Sequence, residues 1–417
     1  MSRTLVYAGP TLTAEEIHRV RPGIEVRPPA GRGDLLAEAW EPGDTAVIID
    51  GYFRDRRSVG HKEILHLLRE GVAVLGAGSM GALRAAELSA YGMRGVGAVH
   101  RMYAEGVIDG DDEVGVLHGP ADVGYPALTV ALVNLRHALA RTAAPAVAQR
   151  LIAGAKSLPF TSRTWEELAR GRDAEESGAL SRARALIEAG PGNVKRLDAL
   201  AALTVQATAA VPPEVPVTGI TRHQLLVSRT REQYAPGRWR SDPDMLDAAR
   251  LFDPEYPVWH EQVLSGLLPA DPAVILGVTE DEPLPAPLAV WLTARERATL
   301  PFPQQVRLVT VRVWPVWQST DWRPAMIERL RATDRWQRWR DLVAEADEVA
   351  DRTRFRQPVP PPAACAAIFL RHWRGEGPAE IAMARRGFTG REELGGTVRR
   401  FFPYDVRRAR SQPAAPR

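Results

Sequence analysis

Cysteine is almost missing from this chain: Cys365 is the only one in 417 residues. That excludes an intrachain disulfide and a cysteine-based zinc cluster, and it fits a reducing, cytoplasmic setting. No run approaches the ~18 apolar residues that a membrane span requires. The first residues, Met1-Ser2-Arg3-Thr4-Leu5-Val6-Tyr7, lead straight into a strand, so neither a signal peptide nor a membrane is expected. Lysine is scarce as well. Lys62, Lys156 and Lys195 are the only three, and the other basic residues are arginines. The net charge of +3 comes without a basic stripe interleaved with aromatics, except at the extreme end, so nucleic acid is not an expected partner. There, Arg399–Arg417 combines arginines with Phe401, Phe402 and Tyr404; it reads as a mobile arm for partner contact or as a solvated tail.

What is present is a regular alternation. Thr4–Ala8, Ile24–Arg27, Thr45–Ile49, the run from Val72 and Gly95–His100 read as five strands, with helices between them. Such alternation predicts a parallel, doubly wound sheet. The expected fold is therefore α/β, with a flavodoxin-like or Rossmann-like core followed by a mostly helical C-terminal region. Beyond about residue 125 the period becomes helical, as in Leu128, Leu132, Leu135 and Leu139. The expected division is 1–125 for the core, 126–357 for a helical extension and 358–417 for a helical, arginine-rich segment. Met326, Leu330, Trp336, Trp339 and Val343 could line one long amphipathic helix, and Pro358–Pro362 reads as a stiff linker.

In doubly wound sheets ligands bind outside the carboxyl ends of the strands. That rule collects Gly9 and Pro10, then Asp50 to Phe53 with Tyr52, and then the turn Gly76-Ala77-Gly78-Ser79-Met80-Gly81. This turn, between an apolar strand and a helix of good formers, permits three readings. Gly76, Gly78 and Gly81 match the dinucleotide spacing, but the motif sits on the fourth strand and lacks the acid that should follow the next one. Ser79 nearly matches a nucleophile elbow, with Asp50, His61 or His118 as partners that spacing does not select; alternatively it only caps the helix. Backbone donors there could hold an oxyanion. His61-Lys62-Glu63 opens a helix with three ionisable groups, and Lys62 is the only lysine of the expected core. The acidic run Asp109–Glu113 could hold Mg²⁺ but lacks calcium-loop spacing, so a solvated turn is the simpler reading. Cys365 lies in an apolar helix and reads as an inert core residue, so no persulfide relay is expected.

Gly9-Pro10-Thr11-Leu12, Ile49-Asp50-Gly51-Tyr52-Phe53, His61-Lys62-Glu63-Ile64-Leu65, Gly78 to Glu87 with Met80 and Arg84, and Asp111-Asp112-Glu113-Val114 with His118-Gly119-Pro120 together resemble the TfuA-like core domain. The likeness covers roughly residues 4 to 125. The resemblance implies a partner role beside YcaO enzymes, which activate a peptide amide oxygen with ATP so that a nucleophile can replace it, giving a thioamide. It implies that sulfide is released from a small carrier protein ending in a glycine thiocarboxylate. The precursor peptide would be a further partner, and no cofactor or metal is implied. The alternative is a docking module that recruits carrier or peptide to YcaO without chemistry. For catalysis a base or nucleophile is needed, and Ser79, His61, Lys62, Glu63 and Asp50 are the candidates.

Overall fold

Branched and apolar residues build a five-stranded parallel sheet from β1 (Thr4–Tyr7), β2 (Glu25–Arg27), β3 (Thr45–Ile48), β4 (Ala73–Ala77) and β5 (Arg94–Val96). The strand order is β2-β1-β3-β4-β5, the flavodoxin-like arrangement. Val6 pairs with Val26 on one side and Val47 on the other, and Val47 in turn pairs with Leu75. The computed structural model describes residues 2–53, 57–206, 219–268, 271–317, 322–353 and 358–411.

Strand alternation sends Leu5, Tyr7, Ile48 and Val74 to one face and Val6, Ala8, Val47 and Leu75 to the other. The helix α1 (Ala14–Val20) contributes Ile17 to the second face, and α2 (Asp34–Ala37) and α3 (His61–Arg69) contribute Leu35, Ile64, Leu67 and Leu68 to the first. The helices α4 (Met80–Leu88) and α5 (Ala98–Ala104) follow β4 and β5. The fifth strand is shorter than its composition suggests. Gly97 turns the chain at φ 96°, and Asp198 accepts from the N–H groups of Ala98 and Val99 at 2.8 and 2.7 Å, so His100 lies in a capped helix.

The chain divides into two units, Met1–Thr221 and Arg222–Arg417. The physical reason is a late helix. After α6 (Leu132–Thr142), α7 (Pro145–Lys156), α8 (Trp165–Ala169) and α9 (Ala174–Glu188), which share a core of Leu135, Leu139, Leu151 and Leu180, comes α10 (Val194–Thr204). Ala199, Ala202 and Leu203 of α10 cover Val47, Leu75 and Ala77 of the sheet. The second face of the sheet is not complete without them. Leu128, expected on the helical stripe, precedes α6 and is exposed.

The second unit is helical apart from a two-stranded hairpin, Glu232–Ala235 with Arg238–Arg240, among the described residues. The long amphipathic helix is two helices, Arg323–Arg331 and Trp336–Thr353, and both bury their apolar side. The expected arm is also revised. Residues Arg391–Ser411 form one helix whose Val398 and Phe401 sit in the core, with Phe401 edge-on to Phe252 at 5.9 Å. Arg400 pairs with Asp347 at 2.9 Å and with Asp244. Residues 412–417 lie outside the described residues. Cys365 is fully buried and its thiol donates to the carbonyl of Pro360; burial pushes its pKa up.

Phe401→Ala should therefore lower the stability of the full chain by about 3–5 kcal/mol, as for other buried phenylalanines, whereas Arg399→Ala on the exposed side should stay within about 0.5 kcal/mol. Denaturant melting checks both, and equal, negligible effects would restore the arm.

Candidate functional site

The strand order reverses between β1 and β3, and a doubly wound sheet opens its ligand crevice at that point. Asp50 follows β3 there and is 3% exposed. Its carboxylate accepts from the N–H groups of Gly9 and Thr11, each at 2.9 Å, and from the Thr11 hydroxyl at 2.6 Å. These donors tie the loop after β1 to the loop after β3. Asp50 is thus a clamp that holds the crevice in shape, with most of its accepting capacity spent.

The three glycines of the β4–α4 turn serve close approach. A Cβ on Gly81 would lie 1.7 Å from the carbonyl oxygen of Ile48, and one on Gly76 would lie 2.0 Å from that of Gly81. Gly78 has φ +67°, and its missing Cβ would sit 2.6 Å from the carbonyl oxygen of Lys195. The helix start is thereby pressed against β3 and α10. Gly81 gives its N–H to Ile49 and Ser79 gives its N–H to Ala77. The Met80 N–H, at the positive end of α4, makes no hydrogen bond to the described residues.

Beside that turn lies an inner cavity of about 40 Å³, lined by Pro10, Asp50, Ser79, Met80 and His118 together with Phe53 and Phe160. It has room for an acyl end group or a few waters, and far less than the ~300 Å³ at which small-molecule pockets begin. Ser79 occupies the helix N-cap position and is 7% exposed, but its side chain makes no cap hydrogen bond. The helix-cap role expected of it is absent. His118 places Nδ1 2.8 Å from the carbonyl oxygen of Gly119. A carbonyl only accepts, so Nδ1 carries the proton and Nε2 of the neutral ring is left as an acceptor. Tyr52 and Tyr125 flank the imidazole, with ring centroids at 6.4 and 5.5 Å. Tyr125 is the one described non-glycine residue with positive φ, 57°, a conformation that costs about 1–3 kcal/mol and often marks a functional wall.

Other residues gathered from the sequence sit elsewhere or are engaged. His61 Nε2 meets Glu87 at 2.8 Å and Arg84 meets the same carboxylate at 2.6 Å. Arg84 also donates to the Val59 carbonyl and the Ser58 hydroxyl, so it pins a loop instead of facing a ligand. Lys62 is exposed on α3. Glu63 is 4% exposed, and accepts from the N–H of Gly33 at 2.8 Å and of Gly60 at 3.3 Å, joining the starts of α2 and α3. Glu113 is buried in a bidentate pair with Arg136 at 2.8 and 2.9 Å, and Asp112 is held by the buried Arg163. The acidic run is therefore divided among separate cations. No group of three or more potential ligands converges on a metal position among the described residues.

Three residues that reasoning from sequence passed over complete the site. Phe160 closes the inner cavity against Phe53, with centroids at 5.5 Å. Arg163 spans Asp112 and the carbonyl oxygens of Ala155 and Leu158. Lys195 on α10 is 3% exposed and donates to the carbonyl oxygen of Val114 at 2.8 Å. Burial pushes its pKa down, and the Asp50 charge opposes that shift. An outer cavity of about 590 Å³ adjoins the inner one, sharing Pro10 and Val116 and adding Thr11, Thr129, Asn134 and Trp165. The scarcity of lysine was the one available signal for Lys195.

Fold and crevice together define a doubly wound α/β protein whose crevice at the β1/β3 switch point is roofed by its own helical extension. Residues 50–164 match the TfuA-like protein family. The segment holds Asp50, Ser79, His118, Phe160 and Arg163; Gly9, Pro10 and Lys195 fall outside it. No curated protein matches the chain. No described helix is long and apolar enough to cross a membrane.

Burial raises the Glu63 pKa from 4.5 to about 7, against the pull of its two backbone donors. A carboxyl with a raised folded-state pKa adds stability that is complete below 4.5 and is lost as pH rises through about 7. Between these limits the wild type should lose on the order of 3 kcal/mol relative to Glu63→Gln. Chemical denaturation at about pH 4.5 and about pH 8 measures the difference, and parallel curves would assign Glu63 an ordinary pKa.

Proposed function

We propose that this protein supplies sulfur for YcaO-dependent peptide thioamide formation by hydrolysing the C-terminal thiocarboxylate of a small carrier protein in the inner cavity. The observation that carries this reading is the enclosed Ser79 hydroxyl, which caps nothing and lines the same cavity as the Nε2-basic imidazole of His118. Ser79 and His118 make no hydrogen bond to each other among the described residues, which favours water over serine as the nucleophile. His118 takes a proton from water, and the oxygen attacks the acyl carbon. Charge developing on the acyl oxygen meets the Ser79 hydroxyl and the Met80 N–H. The C–S bond breaks as the intermediate collapses. Thiocarboxylate and water give carboxylate, hydrosulfide and a proton. Phe53, Phe160 and Met80 limit bulk water around the reaction.

A docking module with no chemistry is the second reading. Its support is Asp50, which spends its oxygens on Gly9 and Thr11 and leaves His118 without a carboxylate to orient it among the described contacts.

Sulfide release from a thiocarboxylated carrier separates the two. His118→Ala should slow release by about 10²–10⁴-fold, and Ser79→Ala by about 10²-fold, as for loss of one oxyanion donor. His61→Ala should match wild type. Equal rates for all four proteins, with intact melts, would leave the docking reading in place.

A further inference from the structure

Lys195 is placed in a way that the mechanism above does not use. Its side chain is almost wholly buried, yet its only hydrogen bond among the described residues goes to the neutral carbonyl of Val114. An ammonium has three donors, and buried cations are ordinarily paired. No described carboxylate comes within the 4 Å of an ion pair. Asp50 is near enough to act on its charge, but its oxygens are committed to Gly9 and Thr11. The backbone of Lys195 is pinned as well. Its N–H donates to the Asn134 side chain at 3.1 Å, and its carbonyl backs the Gly78 turn. Val114 and Asp50 line the inner cavity, while Lys195 itself lines the outer one. The charge thus stands at the partition between the two.

We propose that Lys195 is a positioning residue that pairs with the negative charge of an acyl end group, carboxylate or thiocarboxylate, presented by an extended peptide tail lying in the outer cavity. The outer cavity suits such a tail in size, at about 590 Å³, with Trp165 giving it an apolar surface and Arg196 a second cation on its wall. A neutral end group finds no reward at the buried ammonium. An anionic end group supplies the missing counter-charge and is drawn toward Ser79. The site therefore selects the charge state of the terminus, not only its shape. This inference rests on the sulfur-delivery reading for its choice of ligand, but concerns binding and not hydrolysis.

The test uses the full chain and three versions of one hexapeptide ending in Gly-Gly, with a C-terminal carboxylate, thiocarboxylate or carboxamide, titrated by fluorescence anisotropy. Wild type should bind both anionic peptides about tenfold or more tightly than the amide, the span of one charge-assisted contact. Lys195→Met keeps the length of the side chain and should erase that preference; Lys195→Arg should retain it. A purely structural lysine would change all three affinities together. Should Lys195→Met fail to fold, Lys195→Gln is read in the same way. Persistence of the anion preference in these variants, or its absence from wild type, overturns the proposal. A lysine-dependent preference without sulfide release upholds the proposal and removes the hydrolase reading. Sulfide release by wild type, with the preference intact in Lys195→Met, does the reverse.

Discussion

The crevice depends on one buried carboxylate. Asp50 leaves the end of β3 and gathers two N–H groups and a hydroxyl from the loop after β1. Strands β1 and β3 are neighbours whose crossovers run to opposite sides, so the loops that follow them diverge and need a link. Asp50 supplies it by charge-assisted hydrogen bonds in a dry setting, where such bonds are strongest. Its negative charge also acts on Lys195, 145 positions further along the chain. Removing the carboxylate would free the loop of Gly9 and Pro10 and take away the negative charge that acts on the lysine.

Around that link the parts are fixed by close contact. Gly76, Gly78 and Gly81 let α4 approach β3, β4 and α10 so tightly that any Cβ would collide with a backbone atom. The spacing shared with dinucleotide-binding turns has a packing origin here. The closeness leaves an inner cavity of about 40 Å³, too small for a nucleotide. It also sets Ser79 in a conformation, φ −130° and ψ −128°, whose side chain does not cap its own helix. The Ser79 hydroxyl, released from capping, and the His118 imidazole, whose Nδ1 faces the Gly119 carbonyl, line the same small space.

How much of this was legible can be judged residue by residue. The strands, their parallel sense and the crevice loops followed from alternation and from the rule for carboxyl ends of strands. Ser79, Met80, Pro10, Asp50 and His118 were all named, and all line the cavity. Their roles were not readable. Glu63 looked like one of three ionisable groups opening a helix, yet it is a buried clamp between α2 and α3. Asp112 and Glu113 looked like one acidic cluster, yet Arg163 and Arg136 draw them apart. The arginines that separate them lie 51 and 23 positions away. Local patterning carries no information at that range.

The sequence by itself determined the α/β core and its resemblance to a family, because both are written in local signals: short apolar runs, glycine turns and helix starts. Tertiary structure alone decided where the first unit ends, since only packing shows that Ala199, Ala202 and Leu203 finish the second face of the sheet. It alone decided that Phe401 is core and not arm. It also decided which ionisable groups are buried and which are paired, because both depend on charges brought together by the fold. Lys195 is the clearest case: an ordinary lysine on a helix in the sequence, and in the folded chain a buried cation beside the crevice with a single neutral partner among the described residues.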